Sequence, residues 1–220
     1  MEQKASVLIY ILRHDIRLSD NPVFHAAHLN FLKNEAYQKS LRNADEHHRE
    51  DSLVSEDVNP PFFTHLLPVY IFPANQIEVS GFIPDLRTDS PYPEARSYVA
   101  GLWRTGPHRA RFMAEGIWDL KERLEGLQCG SGLQIRVGEI GEVVRHMVQW
   151  FEDEKGAGRN IIEVAGIWMT AEEGTEEKKV ENEVKHLAED VGVDFKLWED
   201  EKYYVDEYAF RFVLNCEANH

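Results

Sequence analysis

Val7-Leu8-Ile9-Tyr10-Ile11-Leu12-Arg13-His14-Asp15-Ile16-Arg17-Leu18-Ser19-Asp20-Asn21-Pro22 is an apolar run of strand length that ends abruptly in a charged tract. The apolar part shows no alternation, as expected of a strand buried on both faces, which is typical of a parallel sheet flanked by helices. In open sheets of that kind ligands bind outside the strand carboxyl ends. The stretch therefore predicts a fold and also where its site should lie.

The chain has 220 residues, enough for one sizeable domain and a tight fit for two. It is 43% hydrophobic and 29% charged, an ordinary globular composition, and no apolar run reaches the length that spans a bilayer. A formal net charge of −15, with no basic stretch set apart, predicts poor direct binding to nucleic acid. Cys129 and Cys216 lie far apart, indicating neither a disulfide framework nor a cysteine zinc site. The amino terminus, Met-Glu-Gln-Lys-Ala-Ser, runs straight into the first strand and carries no secretory or arginine-rich presequence pattern. The expectation is an intracellular protein, cytoplasmic or nuclear.

Outward from the first strand, Asp20 or Asn21 can cap a helix with Pro22 at its first position, covering Val23 to about Leu41. Residues 42–61, crowded with polar side chains and closed by Pro60-Pro61, read as a solvated insertion in which His47 and His48 are exposed loop residues. Leu66 to Phe72 is a second buried strand, and the proline-rich residues 74–105 read as a surface excursion. Gly106-Pro107 opens an amphipathic helix with Phe112, Ile117, Leu120 and Leu124 assigned to one face.

Leu133 to Val137 alternates like a sheet-edge strand, and a third helix over about Gly141 to Glu154 buries Val144, Met147, Val148 and Phe151. Ile161 to Ala165 is a fourth strand, a fourth helix carries Val180, Val184 and Leu187, and Val193 to Trp198 is the last strand. Alternating strands and helices predict an α/β domain, an open, Rossmann-like five-stranded parallel sheet with helices on both faces, and by analogy with mononucleotide-binding halves its order would be 3-2-1-4-5.

Neither G-x-G-x-x-G nor G-x-x-x-x-G-K-[ST] occurs, which disfavours a dinucleotide dehydrogenase and a P-loop NTPase, and no G-x-S-x-G marks a nucleophile elbow. Two charged clusters remain. Arg13, His14, Asp15, Arg17, Asp20 and Asn21 at the mouth of the first strand either orient a polar ligand or neutralise one another. Glu172, Glu173, Glu176, Glu177 and Glu181 follow the fourth strand. Thr170 with Glu173 matches a capping box, and acidic groups near a helix start complement its dipole. The same residues would also flank the topological switch point between the first and fourth strands.

The order of these motifs resembles the photolyase and cryptochrome family. Its amino-terminal signature has an arginine, a D-L-R-like triplet and a D-N-P-like triplet after the first strand, matched by Arg13, Asp15-Ile16-Arg17 and Asp20-Asn21-Pro22. Leu67 to Phe72 looks like its second strand, and Gly106, Arg109, Phe112, Asp119 and Leu120 look like its G-x-x-R-x-x-F-x-x-x-x-x-x-D-L helix. Glu176-Glu177 with Val180-Glu181 resembles the E-E-x-x-V-E region of DASH-type cryptochromes. The similarity runs from about Ser6 to Asp206, so residues 1–206 form the family-like α/β domain and residues 207–220 a divergent tail.

The resemblance implies an antenna domain of a blue-light flavoprotein that repairs pyrimidine dimers in single-stranded DNA. In DASH members this domain abuts a 5,10-methenyltetrahydrofolate that passes excitation to FAD in a following helical domain, the natural partner of this one. A chain without that domain is expected to be catalytically inactive and to hold folate weakly. The resemblance places the folate-contacting glutamate just after the fourth strand, at Glu172 or Glu173, with Glu172 preferred because Glu173 has the capping alternative. It implies that Arg13, Asp15, Arg17, Asp20 and Asn21 tie loops and the domain junction together. No metal is implied, and the oligomeric state is left open. A different class, a stand-alone α/β protein binding a nucleotide or a partner without photochemistry, fits the same sheet. The purified 220-residue chain is expected to show no flavin absorbance, and a stoichiometric flavin spectrum would overturn the antenna-domain reading.

Overall fold

The computed structural model describes residues 5–46, 62–78, 90–127, 130–156 and 162–199. The element order is β1 (Ser6–Leu12), α1 (Pro22–Glu46), β2 (His65–Pro73), α2 (Pro107–Glu125), β3 (Gln134–Gly138), α3 (Ile140–Gly156), β4 (Glu163–Thr170), α4 (Thr175–Val191) and β5 (Asp194–Trp198). The strands form one sheet in the order β3-β2-β1-β4-β5. Every pairing is parallel. The predicted order and the central place of the first strand are both present.

The apolar run of β1 reads as continuous because both of its faces are covered. Leu8, Tyr10 and Leu12 point to one side and join Val23 of α1 and Ile117, Leu120 and Leu124 of α2. Ile9 and Ile11 point to the other and join Val144 and Val148 of α3 and Val184 and Leu187 of α4. The crossovers run one way from β1 to β3 and the other way from β4 to β5, and a constant crossover hand puts the two helix pairs on opposite faces. Strand alternation then divides one stretch between two cores.

Three boundaries differ from the sequence reading. α1 continues to Glu46, because residues 42–46 contain no glycine or proline to stop it, so the insertion expected over 42–61 begins later. β4 starts at Glu163 and runs on to Thr170, beyond the expected end at Ala165. Its register against β1 slips between Val7↔Val164 and Leu8↔Gly166, a bulge at Ala165 that realigns Ile167 and Met169 with the second core. The excursion over 74–105 is partly built in: Ala74, Ile77 and Ala95 are buried, and Arg96 bridges Trp103 in antiparallel fashion. Residues 47–61, with His47 and His48, residues 79–89, both cysteines and the 207–220 tail lie outside the described residues.

β5, an edge strand, closes on aromatic packing. Trp168 of β4 lies 5.0 Å from Trp198 between ring centroids and meets Phe63 edge-on, while the Lys196 ammonium sits 3.5 Å from the Trp198 centroid.

Phe112 departs from its expected place on the buried face of α2, being 73% exposed. Five residues separate it from Ile117, which turns it well away from that face, whereas Met113 stands four residues before Ile117 and packs on the core. Truncating Ile117 to Ala is therefore expected to destabilise the fold by about 2–5 kcal/mol. Phe112→Ala should stay within about 0.5 kcal/mol. Urea unfolding of the two variants side by side checks this.

Candidate functional site

The carboxyl end of β1 delivers a connected set of polar side chains. Asn21 caps α1: its Oδ1 accepts the Val23 and Phe24 N–H groups at 3.0 and 3.1 Å, and Pro22 follows at the first helical position. Its Nδ2 donates to the Tyr10 hydroxyl at 3.0 Å and to Asp15 at 3.2 Å. Asp15, itself buried, receives the Arg17 guanidinium in a two-pronged pair at 2.8 and 3.1 Å. Asp20 is exposed and adopts φ 56°, the left-handed turn that an aspartate tolerates better than most residues. Ile16 anchors this loop on α2, approaching so closely that a Cβ at position 116 would stand 2.8 Å from it; glycine occupies that position.

Arg13 leaves this loop network for the far side of the switch point. It is buried, and its Nη1 donates to Glu181 Oε1 at 2.6 Å and to the Thr170 carbonyl at 3.4 Å. Glu181, equally buried on α4, also accepts the backbone N–H of Glu172 at 2.8 Å. Thr170 Oγ1 lies 3.3 Å from the Tyr10 hydroxyl, and the Ala171 N–H donates to the Trp198 carbonyl at 2.9 Å. The turn from β4 to α4 is thereby held from β1, α4 and β5 together.

On that turn the two candidate glutamates part company. The Glu172 side chain is 11% exposed, and its Oε1 lies 3.4 Å from His14 Nδ1. Glu173 points to solvent at 93% exposure and pairs with Lys178 at 2.7 Å, a hydrogen bond that lowers its carboxyl pKa. The proposed capping box is absent: Thr170 ends β4, α4 starts after Gly174, and no side chain caps it. The β4 extension carries Thr170 into the sheet, too far from the helix start to act as its cap.

Beside this turn lies a cavity of about 310 Å3 at the carboxyl ends of β1 and β2. Arg13 and His14 line it together with Tyr70, Arg104, Glu139, Glu176, Glu177 and Glu183. Arg104 is engaged by Glu176 in an ion pair. Burial raises the Glu139 pKa, Glu142 and Glu183 add to the rise, and Arg104 opposes it; Asn75 donates to its carboxylate at 2.9 Å. The Glu177 carboxylate folds over Gly174 at the start of α4, and that of Glu183 lies against Gly141 at the start of α3. Helix starts that receive phosphate in other doubly wound folds here face the chain's own carboxylates. Among the described residues no group of three histidine, cysteine or acidic side chains could hold a metal ion, and no helix is long and apolar enough to cross a membrane.

Arg13, Asp15, Asn21 and Thr170 thus form one network, Arg17 joins it through Asp15, Glu172 joins through Glu181, and Asp20 and Glu173 stand outside it. The sequence reading grouped Glu181 with capping and solvated acids. Its spacing carried another signal, since it precedes Val184 by three residues and Ala188 by seven and so shares their buried face. A carboxylate there requires a cation, and Arg13 supplies it.

The sequence profile described as DNA photolyase matches residues 8–206. The chain belongs to the DNA photolyase family. It is 38% identical over 203 residues to a protein of Neurospora crassa named provisionally as a mitochondrial cryptochrome DASH, covering 92% of this chain and 22% of that one. It is 37% identical over 201 residues to the corresponding cryptochrome DASH of Gibberella zeae, covering 91% and 23%. A Synechocystis cryptochrome structure shares the fold, with a TM-score of 0.52 at 16% identity, over 90% of this chain and 28% of that one. The chain thus matches the family's α/β domain and its DASH branch, and spans less than a quarter of the length of these two fungal relatives.

Tyr70 gives this region a titration that can be followed. It is buried, and burial pushes its phenol up to about 12 from an ordinary value of 10, with nearby Arg109 opposing the shift. The folded state thus keeps the proton when the unfolded chain has lost it, so Tyr70 contributes stability that is complete below pH 10 and is lost as the pH rises toward 12. Tyr70→Phe should remove this loss, on the order of 3 kcal/mol of stability, and so flatten the decline in Tm over that interval. Thermal unfolding from pH 9 upward reads the difference.

Proposed function

We propose that this chain is the antenna module of a DASH-type cryptochrome, and that Glu172 is the carboxylate that holds a 5,10-methenyltetrahydrofolate against it. In this reading the flavin, and with it the blue-light chemistry on pyrimidine dimers in single-stranded DNA, belongs to the part of the longer relatives that this chain does not span. The 220 residues alone then bind the antenna and catalyse nothing.

The observation that carries the proposal is the contrast between adjacent glutamates. Glu172 is nearly enclosed on a turn tied at its own N–H and at the two residues before it, whereas Glu173 is spent on a surface pair with Lys178. An ionised carboxylate accepts hydrogen bonds only, and its two oxygens match the adjacent amino and ring N–H donors of a pterin edge. The donor set suits that group better than a nucleotide, because the neighbouring helix starts are covered by Glu177 and Glu183 and glycine-rich phosphate cradles are absent. Bound folate supplies near-ultraviolet absorption and passes the excitation on.

Titrating the 220-residue chain with 5,10-methenyltetrahydrofolate and following its absorbance tests this. Weak binding is expected, Glu172→Gln should lower the affinity about tenfold or more, and Glu173→Gln should leave it nearly unchanged. The reverse order of the two variants, or no binding by the unaltered chain, would overturn the assignment of Glu172.

A further inference from the structure

We infer that Arg13 and Glu181 are positioning residues for Glu172, acting through its backbone and not by touching the ligand. The inference rests on the reading of Glu172 as the pterin-facing carboxylate and adds what fixes that carboxylate in place. One oxygen of Glu181 does two things at once: it takes the Arg13 guanidinium at 2.6 Å and the Glu172 N–H at 2.8 Å. The Arg13 and Glu181 side chains are only 5% and 8% exposed, so neither can be replaced by water without opening the switch point. Arg13 also reaches the Thr170 carbonyl at 3.4 Å, two residues before Glu172. The pair therefore holds both the approach to the turn and the residue itself.

Such an arrangement matters more for a carboxylate that must meet two donors side by side than for one that meets a single donor. Pinning the Glu172 N–H fixes where its side chain begins, and a glutamate on an unpinned turn would lose more freedom on binding. His14 Nδ1, 3.4 Å from Glu172 Oε1, leans on the same carboxylate from the β1 side and limits it further. Glu173, one residue on, has no buried anchor of this kind and pairs instead with Lys178 at the surface.

Removing one partner of a buried pair strands the other, so the decisive variant replaces both, Arg13→Met with Glu181→Leu, and keeps the volume filled. Amide hydrogen exchange of the 220-residue chain, read residue by residue by NMR, is the first measurement. The Glu172 amide should lose about tenfold or more of its protection in the double variant relative to the Ile9 amide of the central strand. Equal relative protection of Glu172 in the unaltered and double variants would overturn the positioning role.

Affinity for 5,10-methenyltetrahydrofolate is the second. The double variant should bind about tenfold more weakly, and adding Glu172→Gln to it should weaken binding no further than Glu172→Gln does alone, since residues acting through Glu172 have nothing left to act on. Losses that simply add would mean a diffuse structural effect and would overturn the inference. If Glu172→Gln alone binds like the unaltered chain, the folate reading fails, while the exchange measurement still decides whether the pair holds Glu172.

Discussion

The ion pair between Arg13 and Glu181 is the constraint on which the functional end of this domain depends. A guanidinium and a carboxylate have been taken out of water at the point where the sheet reverses its direction of growth, and a buried charge left alone there would cost several kcal/mol. Each has its partner, and each also bonds backbone: Arg13 to the Thr170 carbonyl and Glu181 to the Glu172 N–H. The pair thus joins β1 to α4 across the switch point and orders the β4–α4 turn without a glycine-rich loop. Well-packed apolar residues could match its contribution to stability. They could not accept the Glu172 N–H.

Around that pair the electrostatics differ from those of a phosphate site. The helix starts face carboxylates, the cavity beside them is lined by four glutamates, and Arg13 and Arg104 are both committed to acidic partners. An anion entering there meets four carboxylates and, of the lining cations, Lys179 in addition to the two engaged arginines, whereas a ligand rich in N–H donors meets acceptors. This is the same preference that an enclosed Glu172 shows on the neighbouring turn, and it fits a domain whose chain carries a net charge of −15.

Most of the architecture was legible because each element carried its own periodicity. A continuous apolar β1 announced burial on two faces, alternating elements announced parallel crossovers, and the order 3-2-1-4-5 came by analogy with mononucleotide-binding halves. The misreadings fell where local pattern and tertiary packing diverge. Phe112 is apolar and close to the right spacing, but helix geometry turns it outward and gives its place to Met113. The register of β4 shifts at Ala165 and the strand runs on through Ile167 to Thr170, so that Thr170, which matched a helix cap in sequence, ends the strand instead. Family resemblance came from the spacing of Arg13, the Asp15 and Asp20 triplets and Glu176 to Glu181, which composition and periodicity alone would not have connected to a chemistry.

The sequence by itself determined the secondary elements, the parallel sheet, the family and the short acidic segment that follows β4, because these follow from local periodicity and from motifs contiguous in the chain. Only the tertiary structure decided which glutamates are buried and with whom. Arg13 and Glu181 are separated by 168 positions in sequence and by 2.6 Å in space. No local pattern encodes that distance; it arises because the crossover from β3 to β4 returns the chain to the far side of β1 and sets α4 against the end of the strand. The same return encloses Glu172 and leaves Glu173 in solvent, since adjacent residues on a turn face different surroundings once one backbone N–H has been pinned.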